Sequence, residues 1–287
     1  MSGDDRPAAP DPRSATGSGS GTGIRMGAVM GTVTVVPMHR DNYAYVVADE
    51  GGRACFIDPA EADVAERVLA QRGLELVAVL STHHHWDHTG ANLELASAHP
   101  GLRILGSAVD AHRIPGLTEA LQPGDEFMVG SLLGRVLDVA CHTRGHIACL
   151  FGQALFTGDA LFAGGCGRFF EGTGEDAYRA LYKNLGQLPD ETHVYCGHEY
   201  TLRNLEFAAQ IEPSNAAVHR KLEFARACVA EGRPTIPTTL GEERAYNPFL
   251  RAHVDTVAQA VKARIPSTDL GRPAAVLEGL RQLKDAF

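Results

Sequence analysis

The sequence predicts an α/β (α+β) fold, a layered sandwich over residues 31–200 followed by a small all-helical segment over 201–287. Three observations carry this. Apolar runs of strand length, bounded by Gly, Pro and Asp, recur from residue 32 to residue 196. A few helix-like stretches separate them, which is the signature of a sheet with helices packed on its faces. After Tyr200 the period changes, with Val218, Leu222, Ala225 and Val229 spaced four, three and four apart, a helical stripe. The 287 residues are 44% hydrophobic, enough for a sizeable core, and no run approaches the ~18 apolar residues of a membrane span.

Residues 1–30 hold 13 Gly, Pro and Ser and almost no bulky apolar side chain, so they predict a flexible tail. The tail lacks the apolar core of a secretory signal. Strands are expected at 32–35, where Thr and Val alternate, and at 43–48 and 54–57. A helix follows over Ala62–Arg72, with Val64 and Val68 four apart and Gly73 as its stop. Residues 76–80 form an apolar strand and 91–98 a short helix. Strands return at 103–105, 127–129, 132–139, 148–151 and 154–157; a helix spans 175–188, and 192–196 is one more strand. Helices continue over 254–263 and 274–285.

The net charge of −9 disfavours nucleic acid and anionic membrane as partners, so neither is expected. The six cysteines form no Cys-x-x-Cys pair and a core of this size needs no staples, so they are read as reduced, in the cytoplasm. The mitochondrion is the alternative address, because the tail carries Arg6, Arg13 and Arg25, although Asp4, Asp5 and Asp11 oppose it. A monomer is the expected state.

The strand at 76–80 runs into Thr82-His83-His84-His85-Trp86-Asp87-His88. His83 and His85 are two apart, so an extended backbone points both the same way, and His84 points elsewhere and is not expected to ligate. Imidazole and carboxylate are ligands for zinc and similar metals. With 13 His in the chain, His-x-His-x-Asp-His arises by chance in roughly one or two such sequences per thousand, which favours a metal site over a His-rich surface loop. His142, Asp159 and His198 each follow another expected strand. Alone, each is more often structural than ligating. Together they complete two sets: His83, His85 and His142 for one metal, and Asp87, His88 and His198 for a second, with Asp159 bridging. A bridging carboxylate can hold two divalent ions ~3.5–4 Å apart with a shared water.

His-x-His-x-Asp-His, then His, Asp and His in this order resembles the metallo-β-lactamase superfamily, and Thr82–His88 resembles the form found in glyoxalase II, the hydroxyacylglutathione hydrolases. Asp41-Asn42-Tyr43, Gly164-Gly165-Cys166-Gly167-Arg168-Phe169-Phe170, Tyr195-Cys196-Gly197-His198-Glu199-Tyr200 and Tyr246-Asn247-Pro248-Phe249 agree. The resemblance covers about residues 32–287. It implies a four-layer αββα sandwich with a helical segment that binds a glutathione thioester. It also implies two divalent ions, zinc foremost, with iron and manganese suited to the same ligands. The implied reaction is hydrolysis of S-(2-hydroxyacyl)glutathione, chiefly S-D-lactoylglutathione, to D-lactate and glutathione in methylglyoxal detoxification. A metal-bridging hydroxide held by Asp87 and Asp159 attacks the thioester carbonyl, and the thiolate, with a thiol pKa of ~8.5, leaves without a dedicated acid. Asp87 as a general base is the rival assignment.

Glutathione carries two carboxylates, so an acidic protein must place cations locally. The resemblance assigns substrate contacts to Arg168, Phe170, Tyr200, Arg281 and Lys284. Relatives often carry Tyr at the position of Phe170, so one hydroxyl contact is missing here. Arg281 and Lys284 are three apart and share a helix face, which the residues alone leave as either a solvated face or a carboxylate grip; the resemblance selects the grip. Asp58 either orients a ligand histidine or caps the helix starting near Glu61. His39, His99, His112, His146, His193, His219 and His253 have no partner pattern and are expected in core or surface roles. The rival enzyme on the same scaffold is a mononuclear iron persulfide dioxygenase using His83, His85 and His142. A nucleic-acid phosphodiesterase and a non-enzymatic zinc module are weaker readings, because the chain has no basic stripe and all seven ligand positions are intact.

Overall fold

The structure is a computed structural model and describes residues 22–26 and 29–287. Two sheets face one another. The first contains β1 (Thr22–Met26), β2 (Val29–Met38), β3 (Asn42–Ala48), β4 (Arg53–Ile57), β5 (Glu75–Ser81), β6 (Arg103–Ser107) and β7 (Glu119–Leu121), adjacent in that order. Its first half is antiparallel and β4 to β7 are parallel. The second runs β13-β12-β11-β10-β9-β8, built from β8 (Glu126–Val129), β9 (Leu132–Asp138), β10 (Ile147–Phe151), β11 (Ala154–Gly158), β12 (His193–Cys196) and β13 (Thr238–Thr239).

The helices α1 (Ala62–Arg72), α2 (Trp86–Thr89) and α3 (Asn92–Ala98) belong to the first half. The second half has α4 (Gly174–Tyr178), continued by a π-helical turn over Arg179–Asn184, then α5 (Thr201–Ile211), α6 (Ala216–Ala230), α7 (Leu240–Tyr246), α8 (Asp255–Arg264) and α9 (Pro273–Asp285). Gly73 ends α1 as expected, at φ 63°, where a side chain would be strained.

Three apolar clusters define the expected αββα layers. Tyr45, Ile57 and Leu80 from the first sheet meet Phe127, Val136 and Phe156 from the second. On the outer face of the first sheet, Val46, Phe56 and Ile104 pack against Ala65, Leu69 and Leu95. On the outer face of the second, Ala148, Leu155 and Val194 pack against Phe207, Val257 and Leu280. Both faces of the sheets are buried, which is why their strands read as nearly continuous apolar runs. The helices α5, α7, α8 and α9 therefore share a core with the second sheet, and α6 packs in a separate cluster against α5 and Tyr246.

Three expectations need correction. Of residues 1–30, assigned to a tail, Thr22–Met26 is a strand antiparallel to β2; most of the rest lies outside the described residues. Backbone pairing along a sheet edge needs no apolar side chain, so composition gave no sign of it. The segment 201–287 is helical except for β13, whose two residues extend the second sheet beside β12. β7 was not expected, and its three residues bury only Leu121. Among the described residues no helix is long and apolar enough to cross a membrane, and all six cysteines are buried and unpaired.

Candidate active site

Four chain segments leave strand ends and converge on one hollow. Beyond β5 the chain bends at Thr82 and His83, is extended at His85 and enters α2 at Trp86; His83 and His85 face the hollow ahead of the helix, and Asp87 and His88 from it. His142 lies between β9 and β10, Asp159 follows β11, and His198 follows β12. The two sheets are stitched together at this rim. Tyr43 donates its N–H to the Gly197 carbonyl (2.8 Å), and Ile147 donates to that of Thr82 (3.0 Å). Gly197 is dictated by space: a Cβ there would run into the Asp159 carboxylate and the His88 ring.

All seven residues expected as ligands meet here. His83 Nε2 and His142 Nε2 lie 3.0 and 3.1 Å from His85 Nδ1. His88 Nε2 and His198 Nε2 lie 3.7 and 3.4 Å from Asp87 Oδ2. Asp159 sits between the sets, with Oδ2 3.4 Å from His198 Nε2 and 3.6 Å from His142 Nε2, and Oδ1 3.4 Å from His88 Nε2. Three residue groups have ligand atoms close enough to hold one ion: His83, His85 and His142; Asp87, His88 and His198; and His83, His88 and Asp159.

The outward nitrogens are tied down. His88 Nδ1 bonds Asp58 (3.0 Å), His198 Nδ1 bonds Asp41 (3.0 Å), and His142 Nδ1 bonds the Arg168 carbonyl (2.9 Å). His83 Nδ1 faces the Thr82 hydroxyl (3.1 Å), which itself donates to Asp58 (2.7 Å). Each bond places a proton on Nδ1 and makes Nε2 the atom presented inward for ligation. His85 presents Nδ1 instead. Bare lone pairs ~3 Å apart repel unless a cation lies between them, and tetrahedral zinc with bonds of ~2.0–2.1 Å spaces its nitrogens only slightly wider. The buried His88 Nε2 and Asp159 Oδ1 have no hydrogen-bond partner. The donor set fits a divalent metal.

The electrostatics divide the same way. Burial, reinforced by neighbouring imidazoles, holds His83 well below the ordinary histidine pKa and His85 at about 4. Burial also lowers His142, partly offset by Asp159. Burial opposes charge on His88 and His198 too, but carboxylates outweigh it: Asp159 and Asp58 raise His88, and Asp159, Asp87 and Asp41 push His198 up to about 11. Asp159, although buried, is held below the usual carboxylate range by His88, His198 and His142. One half of the cluster is thus neutral imidazole, and the other demands positive charge.

Among the expected substrate contacts, Phe170 and Tyr200 lie against the expected ligand histidines. Phe170 is 59% exposed, with its ring centroid 5.9 Å from that of His85 and 5.1 Å from that of His142. Tyr200 stacks on His198 at 4.7 Å, with the rings almost parallel. Arg168 is exposed and pairs with Asp285 (3.2 Å). Arg281 does not lie on a solvated face; it is buried, donates to the Cys166 carbonyl (2.9 Å) and pairs with Asp285 (3.0 Å). Lys284 is half-buried and donates to the Arg203 carbonyl (3.0 Å); burial, Arg281 and Arg203 lower its pKa to about 8. Two cations, Arg168 and Arg281, therefore pair with Asp285 at the end of α9, and Lys284 lies on the same helix.

Several supporting contacts were not assigned by the sequence. Asp41 and Asn42 hold His198 and Asp87, the latter through a 3.1 Å bond. His146, expected in the core or at the surface, is buried with its ring stacked 4.5 Å from His83. Its place four residues after His142 was the available signal. Asp58, read two ways, bonds His88 and Thr82, while Glu61 occupies the start of α1. His84 turns away to Asp110 (2.8 Å), as its position predicted.

Two family models match the chain: the metallo-beta-lactamase superfamily over residues 39–198, and the hydroxyacylglutathione hydrolase C-terminus over residues 199–287. A hydroxyacylglutathione hydrolase of Alkalilimnicola ehrlichii is 47% identical over 259 residues, covering 89% of this chain and 99% of the relative. One from Methylococcus capsulatus is 46% identical over 259 residues, covering 88% and 97%. Among solved structures, the BLEG-1 B3 metallo-beta-lactamase superposes with a TM-score of 0.59 at 20% identity, over 76% of this chain and 99% of that one, a likeness of fold. With its strands and ligand cluster matched by one model and its helical segment by the other, the chain belongs to the hydroxyacylglutathione hydrolase (glyoxalase II) family of the metallo-β-lactamase superfamily.

Proposed function

We propose that this hydrolase cleaves S-(2-hydroxyacyl)glutathione thioesters, S-D-lactoylglutathione chief among them, to the hydroxy acid and glutathione at a centre of two divalent ions, zinc foremost. The carrying observation is the paired ligand geometry: a neutral imidazole set and an acid-rich set on either side of the Asp159 carboxylate. His83, His85 and His142 would hold one ion, Asp87, His88 and His198 the other, and Asp159 both. When bound, such ions supply a hydroxide from water at neutral pH and polarise a carbonyl oxygen.

The chain's own residues do the rest. Asp58, Asp41 and the Arg168 carbonyl keep three imidazoles in the ligating tautomer. Asn42 holds Asp87 through its amide, which leaves that carboxylate as a ligand rather than a mobile base. Phe170 and Tyr200 form an aromatic wall beside the reacting carbon. Arg168, Arg281 and Lys284 provide the positive charge that a tripeptide with two carboxylates requires. A thiolate departs without protonation, so the reaction requires no dedicated general acid.

The names of the relatives support this substrate class, and so does the complete acid-rich set, which a mononuclear dioxygenase would not need. The test is elemental analysis of the purified protein coupled to thioester turnover, followed by loss of thioester absorbance. Two equivalents of metal with rapid turnover are expected. One equivalent of iron with oxygen uptake on glutathione persulfide, and no thioester cleavage, would overturn the proposal.

A further inference from the structure

The loop 162–168 follows Asp159 and ends on the carbonyl that fixes His142. It turns sharply: Phe162 and Gly165 exchange backbone bonds of 3.0 and 3.1 Å, with Gly164 at φ 72°. The groups that grip it come from the helical segment. Asn247 Nδ2 lies 3.0 Å from the Gly165 carbonyl and 3.3 Å from that of Phe162. The same amide donates to Glu243 Oε2 (2.9 Å), which also accepts the Gly164 N–H (2.9 Å). Asn204 Nδ2 donates to the Ala163 carbonyl (3.1 Å).

Glu243 and Asn247 are completely buried. A buried carboxylate is costly even when donors satisfy it, and an apolar replacement of similar shape often serves stability as well or better. Such a network fixes geometry more than it adds stability. The fixed geometry passes along the loop: Gly167 fits so tightly against the Asp159 carbonyl and the His142 ring that no side chain could be inserted.

We propose that Glu243 and Asn247 are positioning residues for the metal ligand His142. They lock the loop 162–168, and the locked loop holds the Arg168 carbonyl against His142 Nδ1. His142 Nε2 then stays unprotonated and aimed at His83 and His85. The helical segment thus tunes metal affinity as well as contributing to substrate binding. The inference rests on the two-ion reading above.

Asn247→Ser tests it. Serine keeps a capping oxygen for the Phe249 N–H, which Asn247 Oδ1 now accepts, and removes the amide that grips the loop. Metal-free protein is titrated with zinc against a chelating dye, and the His142 Nδ1–H resonance is followed by proton NMR. One of the two equivalents should weaken by about 10- to 100-fold, with that resonance exchange-broadened and the other equivalent unchanged. Glu243→Ala, which removes the acceptor of the Gly164 N–H and of the Asn247 amide, should weaken the same equivalent. If Asn247→Ser does not fold, Asn204→Ser is read instead and should shift the same equivalent. Unaltered binding of both equivalents in a folded variant, or equal weakening of both, overturns the positioning role. A parent protein that binds no metal would instead overturn the two-ion reading beneath it.

Discussion

Asp58→Asn isolates how a buried carboxylate prepares a ligand. Asp58 is 4% exposed and sits at φ 53°, a left-handed conformation that Asn adopts as readily as Asp. The substitution therefore changes hydrogen bonding with little backbone strain. Asp58 Oδ1 accepts the Thr82 N–H (2.7 Å), while Oδ2 accepts the Thr82 hydroxyl (2.7 Å) and His88 Nδ1–H (3.0 Å). Asn can preserve the first bond. At the second position it places an NH2 group against two donors. The least costly relief is for His88 to move its proton to Nε2 and accept from the new amide. That proton then occupies the lone pair aimed at Asp159 and Asp87. Losing a hydrogen bond to a charged acceptor costs ~1.5–3 kcal/mol. Losing an outer partner of a ligand histidine typically costs about 10- to 100-fold in metal affinity, or ~1.4–2.7 kcal/mol. The ranges overlap because both describe the same tautomer penalty. Zinc titration against a chelator, with thioester turnover measured in parallel, should show the Asp87–His88–His198 ion weakened by that factor and turnover falling with its occupancy. Two equivalents bound at parental affinity by folded Asp58→Asn would refute the reasoning.

Three further outcomes are expected. Asp159→Ala should lose metal and activity together, since its carboxylate lies within 3.6 Å of imidazoles from both sets; near-normal turnover with full metal content would exclude the bridging role. Arg168→Ala should raise KM while changing stability by no more than ~0.5 kcal/mol, because its pair with Asp285 is exposed on both sides; a melting-temperature loss with unchanged KM would count against a substrate contact. Metal binding should release protons near neutral pH. The carboxylates raise His198 to about 11, so it is protonated in the metal-free protein and must lose a proton to ligate; they shift His88 in the same direction. Apparent affinity should therefore rise with pH through the neutral range, and calorimetry in buffers of different ionisation enthalpy should detect the release; a heat independent of buffer would contradict it.

The sequence alone determined the layered architecture and picked out the seven residues that the fold gathers in one hollow. Strand periodicity is local, so the runs that became β3, β5 and β10 were readable without knowing what covers them. The candidate ligands were readable because metal chemistry restricts residue types sharply, and His83, His85, Asp87 and His88 lie within six residues of chain. His142, Asp159 and His198 were found because each lies within four residues of a strand end. Short elements with little to bury escaped: β7, β13 and the strand at Thr22–Met26 exist through backbone pairing with neighbours that sequence proximity does not reveal. Only the tertiary structure decided that Asp58 bonds His88 instead of capping α1, that Arg281 is buried against the Cys166 carbonyl, and that Glu243 and Asn247 grip a loop about 80 residues earlier in the chain. The physical reason is common to all three. A carboxylate, guanidinium or amide can satisfy its hydrogen bonds in many ways, and the choice depends on which donors and acceptors the packed layers bring within 3 Å, far beyond any local spacing.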